Sequence, residues 1–156
     1  MKIRAAVEND LDDLLEMCLA LAESEGLVQG SLVTKAYLKR CLFTQARIAK
    51  CFVLCDESGT TKALSGMLMV QMMMDTALGA NVLHIKDFFI KEAYRNQGWG
   101  RKLFDFASAY ARREGCAAMI LGVHDENVQA LEFYDSLGGE RIKGLGFYKW
   151  VLDTGA

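Results

Sequence analysis

At 156 residues and 52% hydrophobic content, the chain is long enough to bury one sizeable core and too short for two ordinary domains. A single domain over residues 1–156 is therefore expected. Its net charge of −2, with both signs interspersed, lacks the basic footprint of a nucleic-acid binder. The N-terminus, Met1-Lys2-Ile3-Arg4 followed by Glu8, Asp10, Asp12 and Asp13, has no apolar signal-peptide core, and no segment approaches the roughly 18 apolar residues of a membrane span. The expectation is a cytoplasmic protein without nucleic-acid or membrane partners.

Residues 2–6 read as a first strand. Asp10 suits the N-cap of a helix whose apolar positions are Leu11, Leu14, Leu15, Cys18, Leu21 and Ala22, ending by Gly26. A second helix is predicted from Thr34 through Tyr37, Leu38, Cys41 and Leu42. Residues 51–55, 63–74 and 82–90, separated by two turns, read as an antiparallel meander, and the four methionines of residues 69–74 are assigned to the core. Residues 103–114 then read as an amphipathic helix, 117–123 as a buried strand, 128–137 as a short helix and 147–152 as a final strand, with room for another short strand at 140–142. With no proline, turns fall to Gly, Asn, Asp and Ser, as at Ser58-Gly59, Gly79-Ala80-Asn81 and Gly138-Gly139.

The five cysteines, at 18, 41, 51, 55 and 116, are an odd count without metal-type pairing and read as core thiols. No metal is expected. More informative is Arg95-Asn96-Gln97-Gly98-Trp99-Gly100, which joins a strand-like run to a helix-like run. The first free N–H groups of a helix carry the positive end of its dipole, and glycines leave no Cβ to hold an anion off the backbone. Arg95, Arg101 and Lys102 add charge, so the context points to a phosphate site. A Walker loop would need Gly-Lys-Ser/Thr, and a dinucleotide fingerprint a glycine at position 103, which is leucine.

What remains is Arg/Gln-x-x-Gly-x-Gly/Ala, and with this loop and the order β-α-α-β-β-β-α-β-α-β the chain resembles the GCN5-related N-acetyltransferase superfamily over almost its whole length. The resemblance implies an α/β fold of the α+β kind, with a mixed, mostly antiparallel sheet flanked by helices, and acetyl-coenzyme A as cosubstrate. Asp87-Phe88-Phe89-Ile90 with Tyr94-Arg95, and Asn127 with Glu132-Phe133-Tyr134, are most similar to the diamine (spermidine/spermine) acetyltransferase subfamily. By that resemblance the backbone of Phe88, Phe89 and Ile90 would pair with the pantetheine arm. Arg95, Asn96, Gln97, Gly98, Trp99, Gly100 and Arg101 would hold the pyrophosphate, and Asn127 to Ala130 would touch the cofactor farther along. The two phenylalanines can equally be core, since the cofactor would use backbone groups.

Tyr134 is the candidate general acid, because a phenol of pKa ~10 can protonate a thiolate of pKa ~8.5 or steady it by hydrogen bonding. An alkylamine acceptor of pKa ~10.4 is almost wholly protonated at neutral pH and needs a base or a water path. The diamine subfamily has a glutamate just before its Asp-Phe-Phe block, whereas this chain has Lys86. A lysine repels a polycation and is a poor base at its usual pKa, which suggests an acceptor carrying an anionic group, such as an amino acid. His84, His124 and Glu25 are the alternative bases; Glu25 also matches an acidic substrate-side position of the subfamily, and Asp87 serves either structure or substrate. The expected activity is acetylation of a small-molecule primary amine by direct attack in a ternary complex, by a homodimer. The alternatives are a non-catalytic acyl-coenzyme A sensor and a protein N-terminal or lysine acetyltransferase.

Overall fold

In the computed structural model, which describes residues 1–26, 32–57, 63–143 and 150, β1 (Lys2–Ala5) leads through one 3-10 turn into α1 (Leu11–Ser24). Asp10 stands at the N-cap of α1, yet its side chain makes no cap bond there. Its carboxylate accepts instead from both terminal nitrogens of Arg4, at 2.6 and 2.9 Å, and from the Val7 N–H at 2.8 Å. A carboxylate 2% exposed needs that full set of partners, and satisfying them outweighs the expected cap. The hydrogen bond to Asp10 raises the Arg4 pKa above its already high value, so the pair stays charged. Leu11, Leu14 and Met17 form the buried stripe of α1, with Leu15, Cys18 and Leu21 packed beside it. Gly26, at φ +71°, follows the helix as expected. In α2 (Lys35–Phe43) the Thr34 hydroxyl caps the start, accepting from the Tyr37 N–H at 3.1 Å.

The sheet comprises β1, β2 (Lys50–Cys55), β3 (Leu64–Asp75), β4 (Ala80–Ile90) and β5 (Ala118–Leu121), side by side in that order. All pairs are antiparallel except β4 with β5. Cys51, Val53, Cys55, Met67 and Met69 face α1 and α2; Phe52, Leu68, Val70, Leu83 and Ile85 face α3 (Trp99–Arg113). Burial on both faces explains why residues 51–55 of β2 and 67–70 of β3 read as unbroken apolar runs rather than alternating ones. At Gly66, opposite Ile90, a Cβ would stand 2.5 Å from Ile90 Cδ1 and 2.9 Å from the Phe89 carbonyl oxygen. Only glycine permits that approach of β3 to the end of β4.

The core assignment of the four methionines is corrected. Met69 is buried, but Met72, Met73 and Met74 are 42%, 42% and 78% exposed. The helical layers cover β3 only as far as Val70, and beyond it the β3–β4 hairpin runs past the end of β2. All five cysteines are free thiols, with Cys41, Cys51 and Cys55 buried.

The chain divides into two compact units, Met1–Gly122, which holds everything above, and Val123–Ala156. In the second, α4 (Val128–Ser136) is capped by Asn127, whose side chain accepts from the Ala130 N–H at 3.1 Å. Gly138, at φ +83°, turns the chain after α4, and Gly139 N–H returns to the Tyr134 carbonyl at 3.1 Å. Residues 140–142 form no strand; Arg141 there is held by Asp135 at 2.7 Å. The expected final strand, apart from the exposed Trp150, and the Ser58-Gly59 turn lie outside the described residues. No described helix is long and apolar enough to cross a membrane.

Candidate active site

The site begins where the pairing of β4 changes. Met69 lies opposite Asp87 and Val70 opposite Ile85, so Lys86 is an extra residue, a bulge in β4 against β3. Pairing with β5 stops at the same point, its last partners being Ile85 and Leu121. Among the described residues, β4 from 86 to 90 therefore has a strand, β3, on one side and none paired on the other. Phe88 and Ile90 turn their side chains to the α3 layer and Phe89 to the α1 layer, which keeps the rings in the core while their backbone runs along that edge.

Past Ile90 the chain makes a 3-10 turn (Glu92–Tyr94) and enters the loop before α3. Asn96 at φ +57° and Gly98 at φ +78° are both left-handed, and Gly98 is the N-cap of α3. The helix begins at Trp99, earlier than the periodicity from Leu103 indicated, so the loop glycine at 100 lies inside its first turn. The first bond back along the helix runs from Lys102 N–H to the Gly98 carbonyl at 3.2 Å, so the N–H groups of Trp99 and Gly100 stand ahead of it at the positive end of the helix. No side chain caps this end, and no acidic residue occupies its first turn. These observations fit a pyrophosphate: backbone donors, the positive end of a 15-residue helix and no acidic residue in its first turn.

The charged side chains around the loop are less free than the sequence suggested. Arg95 donates its Nε to the Ile90 carbonyl at 2.8 Å and lies over the Phe89 ring, pinning the end of β4 to the loop. Gln97 donates to the Ala93 carbonyl at 2.8 Å, and Lys102 stacks over Trp99 at 4.1 Å. Arg101 is exposed at the helix start.

At the bulge, Lys86 and Asp87 form an ion pair of 3.7 Å beside His84. Burial and then the Lys86 cation lower the His84 pKa, with Asp87 opposing them. That shift favours the neutral imidazole, whose lone pair can take a proton. Cys18 of α1 feels both charges, but its burial comes first and pushes its thiol up to about 12. That makes it a poor nucleophile. Tyr37 of α2, raised chiefly by its hydrogen bond to Cys41, also feels Asp87. Sequence reasoning missed Tyr37 and Cys18 as neighbours of the pair; periodicity marked them only as helix positions, and their approach to β4 is tertiary.

The first unit thus brings together His84, Lys86, Asp87, Phe88, Phe89, Ile90 and the loop from Arg95 to Arg101. Glu25 is the exposed C-cap of α1. In the second unit His124 is exposed ahead of α4, and Tyr134 is half-buried on α4 with the Phe133 ring edge-on at 5.3 Å. Among the described residues no cluster of three or more His, Cys, Asp or Glu could hold a metal ion.

A sequence profile of the acetyltransferase (GNAT) family matches residues 14–138, a span containing the bulge, the loop and α4. The chain belongs to this family. Acetyl transfer from acetyl-coenzyme A to an amine is general to the family, and the family match together with the named relatives supports an acyl-transfer enzyme. It is similar to the thialysine N-epsilon-acetyltransferase of Bos taurus, 28% identical over 144 residues that cover 90% of this chain and 84% of that one. A shorter match, 33% identical over 60 residues, covers 38% of this chain and 26% of the L-ornithine N5-acetyltransferase of Arabidopsis thaliana. A solved probable acetyltransferase shares the fold with a TM-score of 0.82 at 18% identity, over 98% of this chain and 99% of that one.

Proposed function

We propose that this GNAT enzyme acetylates the side-chain amine of a small amino acid, by direct attack on acetyl-coenzyme A in a ternary complex. The observation that carries the reading is the Lys86–Asp87 ion pair at the bulge, beside His84. An acceptor with a carboxylate and an amine finds opposite charges for both, whereas a polyamine meets Lys86 as a like charge. Two relatives whose names specify thialysine and L-ornithine as substrates, both amino acids with a side-chain amine, support the same class. Kinship with diamine acetylation extends to the sequence blocks but not to the residue at 86.

In this reading the loop from Asn96 to Arg101 holds the pyrophosphate, and the open edge of Phe88 to Ile90 pairs with the pantetheine arm as an added strand. Bound acetyl-coenzyme A supplies the activated acyl group. N–H groups of β4 polarise its carbonyl. His84 accepts the amine proton through water, with His124 and Glu25 as the other candidates. Asn127 and Ala130 contact the cofactor, and Tyr134 protonates the departing thiolate. No cysteine enters the covalent chemistry, in keeping with the raised Cys18 thiol.

The test is thiol release from acetyl-coenzyme A with lysine, ornithine, spermidine and a lysine-containing peptide as acceptors, for the wild type and Lys86→Glu. The wild type should prefer the amino acids. A like charge ~4 Å away is worth about 4 kcal/mol at an effective dielectric near 20, less where water screens it, so the substitution should move the ranking towards spermidine. A wild type that prefers spermidine or the peptide, with a ranking Lys86→Glu leaves alone, refutes the acceptor class; cofactor binding without turnover on any amine would make the protein a sensor. Tyr134→Phe should lower turnover on the order of 10²-fold while leaving cofactor affinity nearly intact. Full turnover in that variant, with chemistry rate-limiting, would reduce Tyr134 to packing.

A further inference from the structure

We propose that the vacant lane beside residues 71–75 of β3 binds the free C-terminal end of a partner protein as an added strand, its carboxylate held by Arg47 and Lys50. Pairing of β2 with β3 ends at Lys50 opposite Val70, while pairing of β3 with β4 continues to Asp75 opposite Ala80. Among the described residues, positions 71–75 therefore have a strand neighbour on one side only. The chain entering β2 does not fill the lane. Ile48 and Ala49 both donate their N–H groups to the Cys41 carbonyl, at 3.0 and 3.2 Å, which draws that segment towards α2. An edge strand is ordinarily blunted by lysine, proline or a bulge. Gln71-Met72-Met73-Met74-Asp75 has none of the three, and its methionines are exposed. Main-chain groups of such an edge can pair with an extended peptide, while pockets beside it choose the side chains.

The lane itself selects a chain terminus. Lys50 occupies it opposite Val70, so an incoming strand has to stop there. A strand lying antiparallel to β3 in this lane runs in the direction of β2, and the end that stops is therefore its C-terminus. Arg47 and Lys50 stand at that stop. The Lys50 ammonium lies 4.7 Å from the centre of the Tyr110 ring, and among the described residues neither cation has an ion-pair partner. A terminal carboxylate meets two opposite charges. The ammonium end of a parallel strand would meet two like ones.

The side chain next to that carboxylate is specified as well. Residues directly opposite each other in neighbouring strands share a sheet face, so a terminal residue opposite Met72 turns towards the α3 layer. There Val70, Met72, Leu83 and Tyr110, with residues 47–50, line a depression of about 160 Å³. A cavity of about 150 Å³ holds a benzene molecule, so the depression has room for one branched or aromatic side chain. The residue two places before it lies on the same face, over Met74, which is 78% exposed. The partner thus ends in an apolar residue preceded at alternate positions by another. A free small carboxylate would satisfy the cations and the depression but leave the edge unpaired, and an internal peptide segment would run into Lys50.

The test is fluorescence anisotropy with short dye-labelled peptides of alternating valine and threonine, varied at the last residue and carrying a free C-terminal carboxylate. Peptides ending in leucine or phenylalanine should bind saturably and better than those ending in lysine or glutamate. The C-terminal amide, or the same sequence continued by further residues, should bind at least about tenfold more weakly. Arg47→Glu/Lys50→Glu should cost at least about tenfold too, while the thermal transition and acetyl-coenzyme A binding stay in place. Hydrogen exchange should slow at residues 71–75 when the free acid is added, and not at residues 86–90. The proposal is overturned if no free-acid peptide of the series binds, if acid and amide bind alike, or if protection appears elsewhere. Self-association at this edge that shuts the peptides out would make the occupant a second copy of the chain and overturn it as well.

Discussion

Residues 82–85 of β4 have β3 on one side and β5 on the other, and Val82, Leu83 and Ile85 are 1–3% exposed. Among the described residues, 86–90 of the same strand pair with β3 and with no second strand, and none is buried. The first stretch is framework. The second carries Lys86, Asp87 and the edge offered to the cofactor, and the bulge is where one becomes the other. Chemistry is placed at the point where sheet pairing runs out, so open backbone groups are supplied by a strand whose other half is locked.

If that division holds, damage in the locked half should appear as stability and damage beyond the bulge as binding or rate. The largest effect is expected for Leu83→Ala, which empties a side chain 1% exposed between the sheet and α3. A loss of about 2–5 kcal/mol in denaturant unfolding is expected, with cofactor affinity of the folded fraction unchanged. A mild destabilisation with a large affinity loss would break the comparison.

Gly100→Asp comes next. It adds a side chain and a negative charge in the first turn of α3, next to N–H groups ahead of the first helical bond. Calorimetry should show acetyl-coenzyme A bound at least about tenfold more weakly, or ~1.4 kcal/mol, with little change in melting. Unchanged affinity in a folded variant would move the phosphate site elsewhere.

The smallest effect sharpens the role of the bulge. The Lys86 cation is one of the causes that lower the His84 pKa, so Lys86→Gln should raise it, and the acid limb of kcat/KM should move to higher pH. Asp87 acts in the opposite sense, so Asp87→Asn should move that limb to lower pH. The limb and the His84 imidazole resonances should shift together. A limb indifferent to both substitutions would transfer the base role to His124 or Glu25.

Much of this arrangement was legible before any coordinates. The strand–loop–helix at residues 82–114 and the turns at Gly79 and Gly138 follow from local rules, because left-handed turns are satisfied within a few residues. What could not be read is non-local. The bulge at Lys86 exists only against β3, since an extra residue in one strand is defined by its partner. That Arg95 Nε bonds the Ile90 carbonyl could not be read either, since it depends on how the turn after β4 folds back. The methionines after residue 70 looked like core because an apolar run does not disclose where its neighbouring strand stops.

The order of the strands has a kinetic consequence. β2, β3 and β4 follow one another in sequence and in space, so their contacts close short loops, whereas β1 reaches β2 across α1 and α2, and β5 reaches β4 only across α3. Short loops close at lower entropic cost, so the meander is expected to nucleate folding and β5 to dock late. Substitutions in Met67 or Leu83 would then slow folding, while those in Met119 or Ile120 would mainly speed unfolding. On that schedule the hairpin of β3 and β4 is complete, with the edge at residues 82–85 still unpaired, before β5 arrives to end at Leu121. A chain stalled at that stage would be the one most prone to self-associate during synthesis.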